Sequence, residues 1–391
     1  MPRQNHRCAR RPHPERRAHG GAARHPRTGF AARWKTIYSQ GIPPHFGALV
    51  KTLLPHTRFG TRRARLLTVL TVFAVALVGT AGLAGLQSGT TVPDATIAAS
   101  KGTAVGAPSA SMLGIRTFAK PAGVTVTADV VYTTEADGTP LALDVCSPAG
   151  STPGTPGAAA LPAVVSIHGG SWVRGDKAND DWRGVCEWLA SEGFVAYSVD
   201  YGLAPASVFP AAIDDLATAV EWIRRPDNAA RFGIDPARIG AFGGSAGANL
   251  AMLLGTRGTG PLTEGSRVAA VAELSGPTDL TGQALATDGA SERLANLVLR
   301  YLGCSSLADC PQAVAASPAR RLDRTDPPVF IGQSDHEFIP LAQATRFSAN
   351  LERLAIAHEL VVVPGTVHSI GILDEGMRAR VAAFLHGTLG H

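Results

Sequence analysis

The feature that most constrains this chain is a change of rhythm at residue 243. Arg238-Ile239-Gly240-Ala241-Phe242 reads as a short buried strand, and Asn249-Leu250-Ala251-Met252 reads as helix. Between them lies Gly243-Gly244-Ser245-Ala246-Gly247. A strand passes directly into a helix only through a sharp, strained turn. Small residues at 243, 244, 246 and 247 let the two backbones approach without a clash. Ser245 then projects from the apex with its hydroxyl exposed above the strand ends. The G-x-S-x-G spacing is a weak signal by itself, because Gly and Ser are common in turns. In the order strand, turn, helix it gains specificity, since nucleophilic chemistry needs that order.

Around this turn, strand and helix patterns alternate. Strands are expected at Val124 to Tyr132, Leu141 to Val145, Ala163 to Ile167, Phe194 to Ser198, Ile239 to Phe242, Val268 to Leu274, Val329 to Ile331 and Glu359 to Val363. Helical patterns fall at Asp181 to Ser191, Ala211 to Ile223, from Ser245 onward, Ala342 to Leu354 and Gly376 to Leu385. The short, β-branched, uninterrupted apolar runs fit strands covered on both faces. The alternation predicts an α/β fold with a doubly wound, mostly parallel central sheet and helices on both faces. The stretch Thr281 to Leu302 is a candidate small cap. Such sheets place their sites beyond the C-terminal ends of the strands.

Three of those ends carry chemistry. Ser245 is the candidate nucleophile. His168-Gly169-Gly170-Ser171-Trp172 ends the Ala163 to Ile167 strand. Its glycine amides, Gly169 and Gly170, with that of Ala246, suit an oxyanion hole, because acyl transfer builds negative charge on a carbonyl oxygen. His368, in Pro364-Gly365-Thr366-Val367-His368-Ser369, follows the last strand and is the candidate base. The partner acid has two candidates in Gly332-Gln333-Ser334-Asp335-His336-Glu337. Counted as G-x-x-D, Gly332 points to Asp335. Counted from Pro327-Pro328, Ser334 replaces the usual glycine, the strand runs six residues, and Glu337 is preferred. Either keeps the chain order serine, acid, histidine. Trp172, Phe209 and the candidate cap are expected to border the substrate, with Trp172 as a contact. Asp200 and Asp215 are read as structural hydrogen-bond partners.

These residues resemble the α/β-hydrolase esterases and lipases of the hormone-sensitive-lipase-like and feruloyl-esterase-like groups, over roughly residues 125 to 390. The likeness rests on His168 to Trp172, Gly243 to Gly247, Asp200-Tyr201-Gly202-Leu203-Ala204-Pro205 and Phe209-Pro210-Ala211-Ala212-Ile213-Asp214-Asp215. Asp235-Pro236-Ala237-Arg238-Ile239 and Leu141-Ala142-Leu143-Asp144-Val145 add to it. The resemblance implies hydrolysis of carboxylic esters, often of short acyl chains, with no cofactor and no metal. Gly202 stands where such groups commonly have arginine, which is expected to loosen the turn after Tyr201. A peptidase or amidase on the same fold is the nearest alternative, although no long β-propeller segment precedes residue 125. A non-catalytic ligand-binding homologue would leave the three strand-end motifs unexplained.

The formal net charge of +5 is unevenly placed. Residues 1–65 carry 15 Lys and Arg against one acid, Glu15, and the rest of the chain is net acidic. The basic charge therefore sits on a leader rather than on a folded face, which argues against nucleic acid as a partner and leaves a small ester substrate. Residues 1–60 read as a basic disordered leader, which a later start codon would remove. Within 61–88, the uncharged run Leu66 to Leu86 behind Arg62, Arg63 and Arg65 is long enough to span a bilayer. It is either a signal peptide or a retained membrane anchor, and both put the body outside the cytoplasm. Residues 89–122 read as a Ser/Thr/Gly/Ala linker and 123–391 as the catalytic domain. In that exported setting Cys304 and Cys310 are expected to pair across their short loop, leaving Cys146 for Cys186; four free thiols are the alternative.

Overall fold

A computed structural model describes residues 114–120, 122–135, 137–151 and 159–390. The leader and the Leu66 to Leu86 run lie outside the described residues. Among the described residues, no helix is long and apolar enough to cross a membrane.

The first strands of the described residues form a hairpin, β1 (Thr125–Thr134) and β2 (Pro140–Ser147), followed by β3 (Leu161–Ile167), α1 (Asp180–Ser191) and β4 (Val195–Val199). Next come α2 (Ala211–Arg224), α3 (Pro226–Phe232), β5 (Ile234–Gly244), α4 (Ala246–Gly255) and β6 (Ala270–Leu274). The remainder is α5 (Gly282–Thr287), α6 (Glu292–Leu302), α7 (Gln312–Ala315), β7 (Val329–Ser334), α8 (Leu341–Leu354), β8 (His358–Val363) and α9 (Glu375–Leu389). The eight strands form one sheet in the order β1-β2-β4-β3-β5-β6-β7-β8. Only the β1–β2 and β2–β4 pairings are antiparallel; the rest are parallel.

Strand pleating sorts the side chains into two apolar layers. Ile239 and Ala241 of β5 pack with Leu216 and Val220 of α2 and Leu250 of α4. Phe242, one residue on, faces the other way, against Trp182 and Trp188 of α1. Burial on both faces explains why β3, β4 and β6 read as continuous apolar runs rather than alternations. β5 is longer than its apolar pattern. It starts at Ile234, which pairs with Leu161 across an irregularity spanning the polar Asp235-Pro236 step. Helix α3 was not apparent from periodicity. It begins with Pro226 in its first turn and stops at Gly233 in the left-handed conformation, the ordinary start and stop signals of a short helix. Part of the stretch read as linker belongs to the body. Gly114–Thr117 forms a 3-10 turn, Ile115 is buried, and Arg378 donates to the Thr117 hydroxyl at 3.0 Å.

The four body cysteines form two disulfides, Cys146–Cys186 and Cys304–Cys310, with sequence separations of 40 and 6. The first ties β2 to α1; the second closes the loop after α6. Loop-closure entropy grows with enclosed length, giving about 4 kcal/mol for the long loop and about 2 kcal/mol for the short one. The Cys146→Ser/Cys186→Ser pair should therefore lower the melting temperature more than Cys304→Ser/Cys310→Ser. Equal losses in thermal melts would mean that local packing, not loop closure, sets the effect.

Candidate active site

At the elbow, Ser245 adopts φ 57° and ψ −120°, a backbone conformation that L-residues rarely hold. The turn is closed on itself. A Cβ on Gly243 would lie 2.2 Å from the Gly247 carbonyl oxygen, and one on Gly247 would lie 2.0 Å from the Ile167 oxygen. Both are backbone contacts that cannot yield, so glycine is required at each. The Ser245 N–H is taken by the Leu274 carbonyl at 2.8 Å, which anchors the apex to β6.

The loop after β8 brings His368 to the serine, with Nε2 2.8 Å from the Ser245 hydroxyl oxygen. On its other side, His368 Nδ1 is hydrogen-bonded to Glu337 Oε2. The Glu337 side chain is fully buried, while that of His368 is 30% exposed. The second Glu337 oxygen accepts from Gln333 Nε2 at 2.6 Å, and the same amide group donates to the Ile339 carbonyl at 2.8 Å. Phe338 sets its ring edge-on to the His368 imidazole, with centroids 5.8 Å apart. Two further bonds hold the histidine loop. The Ser334 hydroxyl donates to the Val367 carbonyl at 2.5 Å, and the Ser369 N–H donates to the Ser275 hydroxyl at 2.8 Å.

Of the two candidate acids, then, the fold brings Glu337 to His368. Asp335 faces elsewhere: its carboxylate accepts the Gly365 N–H at 2.8 Å and lies 2.7 Å from His336 Nδ1. Those contacts, the His336 hydrogen bond first, hold the Asp335 carboxyl below the usual range. Asp335 thus fastens the turn that leads to His368. β7 runs six residues, to Ser334, so the acid sits three positions past the strand end.

The His168 loop lies against the elbow. A Cβ on Gly169 would be 3.4 Å from Ser245 Cβ and 2.8 Å from the Gly244 oxygen. The backbone hydrogen bonds among the described residues do not use the N–H groups of Gly169, Gly170 or Ala246. His168 itself is a buried packing residue. Its ring stacks on Tyr201 at 4.3 Å, and Nδ1 lies 2.9 Å from the Gly169 carbonyl oxygen. A carbonyl only accepts, so Nδ1 carries the proton. Burial lowers the pKa below the ordinary histidine value, which keeps the ring neutral. Asp200 accepts the Lys177 N–H at 2.7 Å and Asp215 the Gly202 N–H at 2.9 Å. The second bond pins the turn after Tyr201 despite its glycine.

Trp172 is not on the substrate side. Ser171 and Trp172 both have positive φ, and the indole turns inward, 2% exposed and stacked on Tyr301 with centroids 4.5 Å apart. Phe209 packs edge-on to the same tyrosine. The cleft over Ser245 and His368, about 640 Å³, is bordered instead by Arg174, Trp182, Arg293 and Phe338. Arg293 lies in the first turn of α6, so the candidate cap does reach the site. Sequence reading missed Gln333 and Glu273. Gln333 had a signal, a polar side chain inside an otherwise apolar buried strand, which must find partners. Glu273, fully buried at the end of β6, accepts the Gly276 N–H at 2.8 Å. Burial pushes its carboxyl well above the usual range, and the neighbouring Glu337 adds to that shift. Among the described residues, no group of three or more His, Cys, Asp or Glu could hold a metal ion.

A strand–helix elbow bearing serine, with histidine and acid supplied by later strand ends of a mostly parallel sheet, places the chain in the α/β-hydrolase class. It belongs to the BD-FAE family, whose model matches residues 148–351. The chain is similar to Esterase LipC of Mycobacterium tuberculosis (strain ATCC 25618 / H37Rv), 30% identical over 223 residues, 54% of each chain. It thus spans about half the length of that curated relative. A solved structure of a truncated carbohydrate esterase from gut microbiota shares the fold, with TM-score 0.57 and 20% identity over 68% of this chain and 97% of that one. The thermophilic esterase Est2 of Thermogutta terrifontis matches with TM-score 0.54 and 25% identity, over 69% of this chain and 93% of its own.

Proposed function

We propose that the protein is a serine hydrolase of carboxylic esters, acting on short- to medium-chain acyl groups through an acyl-enzyme. The observation that carries this reading is the continuous hydrogen-bonded line Ser245–His368–Glu337, opening beside backbone amides that have no backbone acceptor among the described residues. The names of LipC and Est2 support the same chemistry.

In this mechanism His368 Nε2 removes the Ser245 proton as the hydroxyl oxygen attacks the ester carbonyl carbon. The carbonyl oxygen takes up negative charge facing the amides of Gly169, Gly170 and Ala246. As the tetrahedral adduct collapses, the C–O bond to the alcohol breaks and His368 returns the proton to the leaving oxygen. Water, deprotonated by His368, then attacks the acyl-serine; the acid leaves and Ser245 regains its hydrogen. Glu337 holds Nδ1 protonated, so that Nε2 is the free base, and it stabilises the imidazolium formed in each half-reaction. Gln333 fixes the carboxylate in turn. We further infer that the body works outside the cytoplasm, on the strength of the arginine-flanked Leu66 to Leu86 run and the two disulfides.

A series of p-nitrophenyl esters from acetate to laurate tests the activity. Release of p-nitrophenol should be fastest at octanoate or shorter, and a fluorophosphonate probe should label the peptide containing Ser245. Failure to hydrolyse any member of the series would overturn the reading.

A further inference from the structure

The cleft over the serine is polar, and its charges are unequally engaged. Four fixed charges border it: Arg174, Asp176, Asp181 and Arg293. The acids have partners. Both Asp181 oxygens accept from the Arg116 guanidinium, at 2.7 and 2.8 Å, and Asp176 accepts the Ala178 N–H at 2.8 Å. The arginines have none of that kind. Among the described residues, Arg174 and Arg293 make no ion pair and no side-chain hydrogen bond. Both border the cleft that holds Ser245 and His368. The Arg174 stem packs on Gly170, where a Cβ would stand 2.0 Å from the Arg174 carbonyl oxygen and 3.2 Å from its Cγ. The Arg293 guanidinium lies over the Phe338 ring at 5.4 Å, and that ring meets the His368 imidazole edge-on. A planar guanidinium stacked on an aromatic face keeps its N–H fork free for a carboxylate.

We propose that the cleft selects esters that themselves carry a carboxylate, with Arg174 and Arg293 as the recognising pair. The inference rests on the esterase reading above. It deepens that reading by naming a substrate class: monoesters of dicarboxylic acids, or esters whose alcohol bears a carboxylate. Arg174 comes from the loop that follows β3, and Arg293 from the first turn of α6. The two arginines thus reach one cleft from different elements, which favours a charge at the end of an arm over one at the ester carbon itself.

The test uses two matched pairs of esters. In one the anion is on the acyl arm: p-nitrophenyl monoglutarate against p-nitrophenyl pentanoate. In the other it is on the alcohol arm: 4-carboxyphenyl butyrate against phenyl butyrate. Wild type should favour the anionic member of one pair by about fivefold or more in kcat/KM, allowing for screening of exposed charges. That ratio should fall towards one in the Arg174→Gln/Arg293→Gln double variant and in 0.5 M salt, where the Debye length is about 4 Å against about 30 Å at 0.01 M. Hydrolysis by wild type with no anionic preference in either pair overturns this inference and leaves the esterase reading standing. So does a preference that the double variant retains. Absence of hydrolysis in all four esters overturns both.

Discussion

Ser245→Ala should abolish ester turnover, lowering kcat by about 10⁴-fold or more, while the protein keeps its fold. The expected loss is large because the serine, histidine and acid act as one unit; without the nucleophile the base has no proton to take. The expected stability change is small for a separate reason. Alanine retains the Cβ that makes φ 57° unfavourable, and only the hydroxyl's bond to His368 is lost. Ser245→Gly gives a second readout. It is equally inactive, but it removes the Cβ from a strained backbone and should unfold at a higher denaturant midpoint, a gain of about 1 kcal/mol. Burst and steady-state kinetics with p-nitrophenyl butyrate, alongside chemical denaturation, check both. Wild-type-like turnover in Ser245→Ala would remove the nucleophile assignment.

Glu337→Ala should cost about 10³- to 10⁴-fold in kcat, whereas Asp335→Ala should stay within about tenfold of wild type. The Glu337 side chain is fully buried and hydrogen-bonded to His368 Nδ1, and Gln333 holds its other oxygen. Its loss frees the imidazole to choose the wrong tautomer. Asp335 acts at one remove, through the Gly365 amide, and its carboxylate reaches solvent. A crippled Asp335→Ala beside an active Glu337→Ala would reverse the assignment.

Most of the scaffold was visible in the residues because it depends on local rules. β3, β4 and β6 are buried on both faces and so are mostly apolar, with Ser166, Ser198 and Glu273 as the exceptions; the elbow needs glycine where two backbones nearly touch. Gly243 and Gly247 announced the turn for the same steric reason that the structure displays. What was not legible depends on side chains meeting across long sequence gaps. Trp172 follows the Gly-Gly of the oxyanion-type loop and looks like a substrate contact, yet two successive positive-φ residues turn it onto Tyr301, 129 positions later. No pattern in the sequence reports that turn. Asp335 and Glu337 are two residues apart and chemically alike. Their contrast arises because the strand ends at Ser334, after which one carboxylate faces the Gly365 turn and the other is buried on His368.

The layered α/β architecture, the apex serine and the late histidine can be read from the residues alone, since each follows from sterics and periodicity within a few residues. Which acid meets the histidine, that Trp172 is core, and that Arg174 and Arg293 border the cleft without an ion pair among the described residues emerge only once the sheet is assembled. Those outcomes depend on where distant strand ends and the cap helix converge, and convergence is a property of the packed sheet, not of any segment in it.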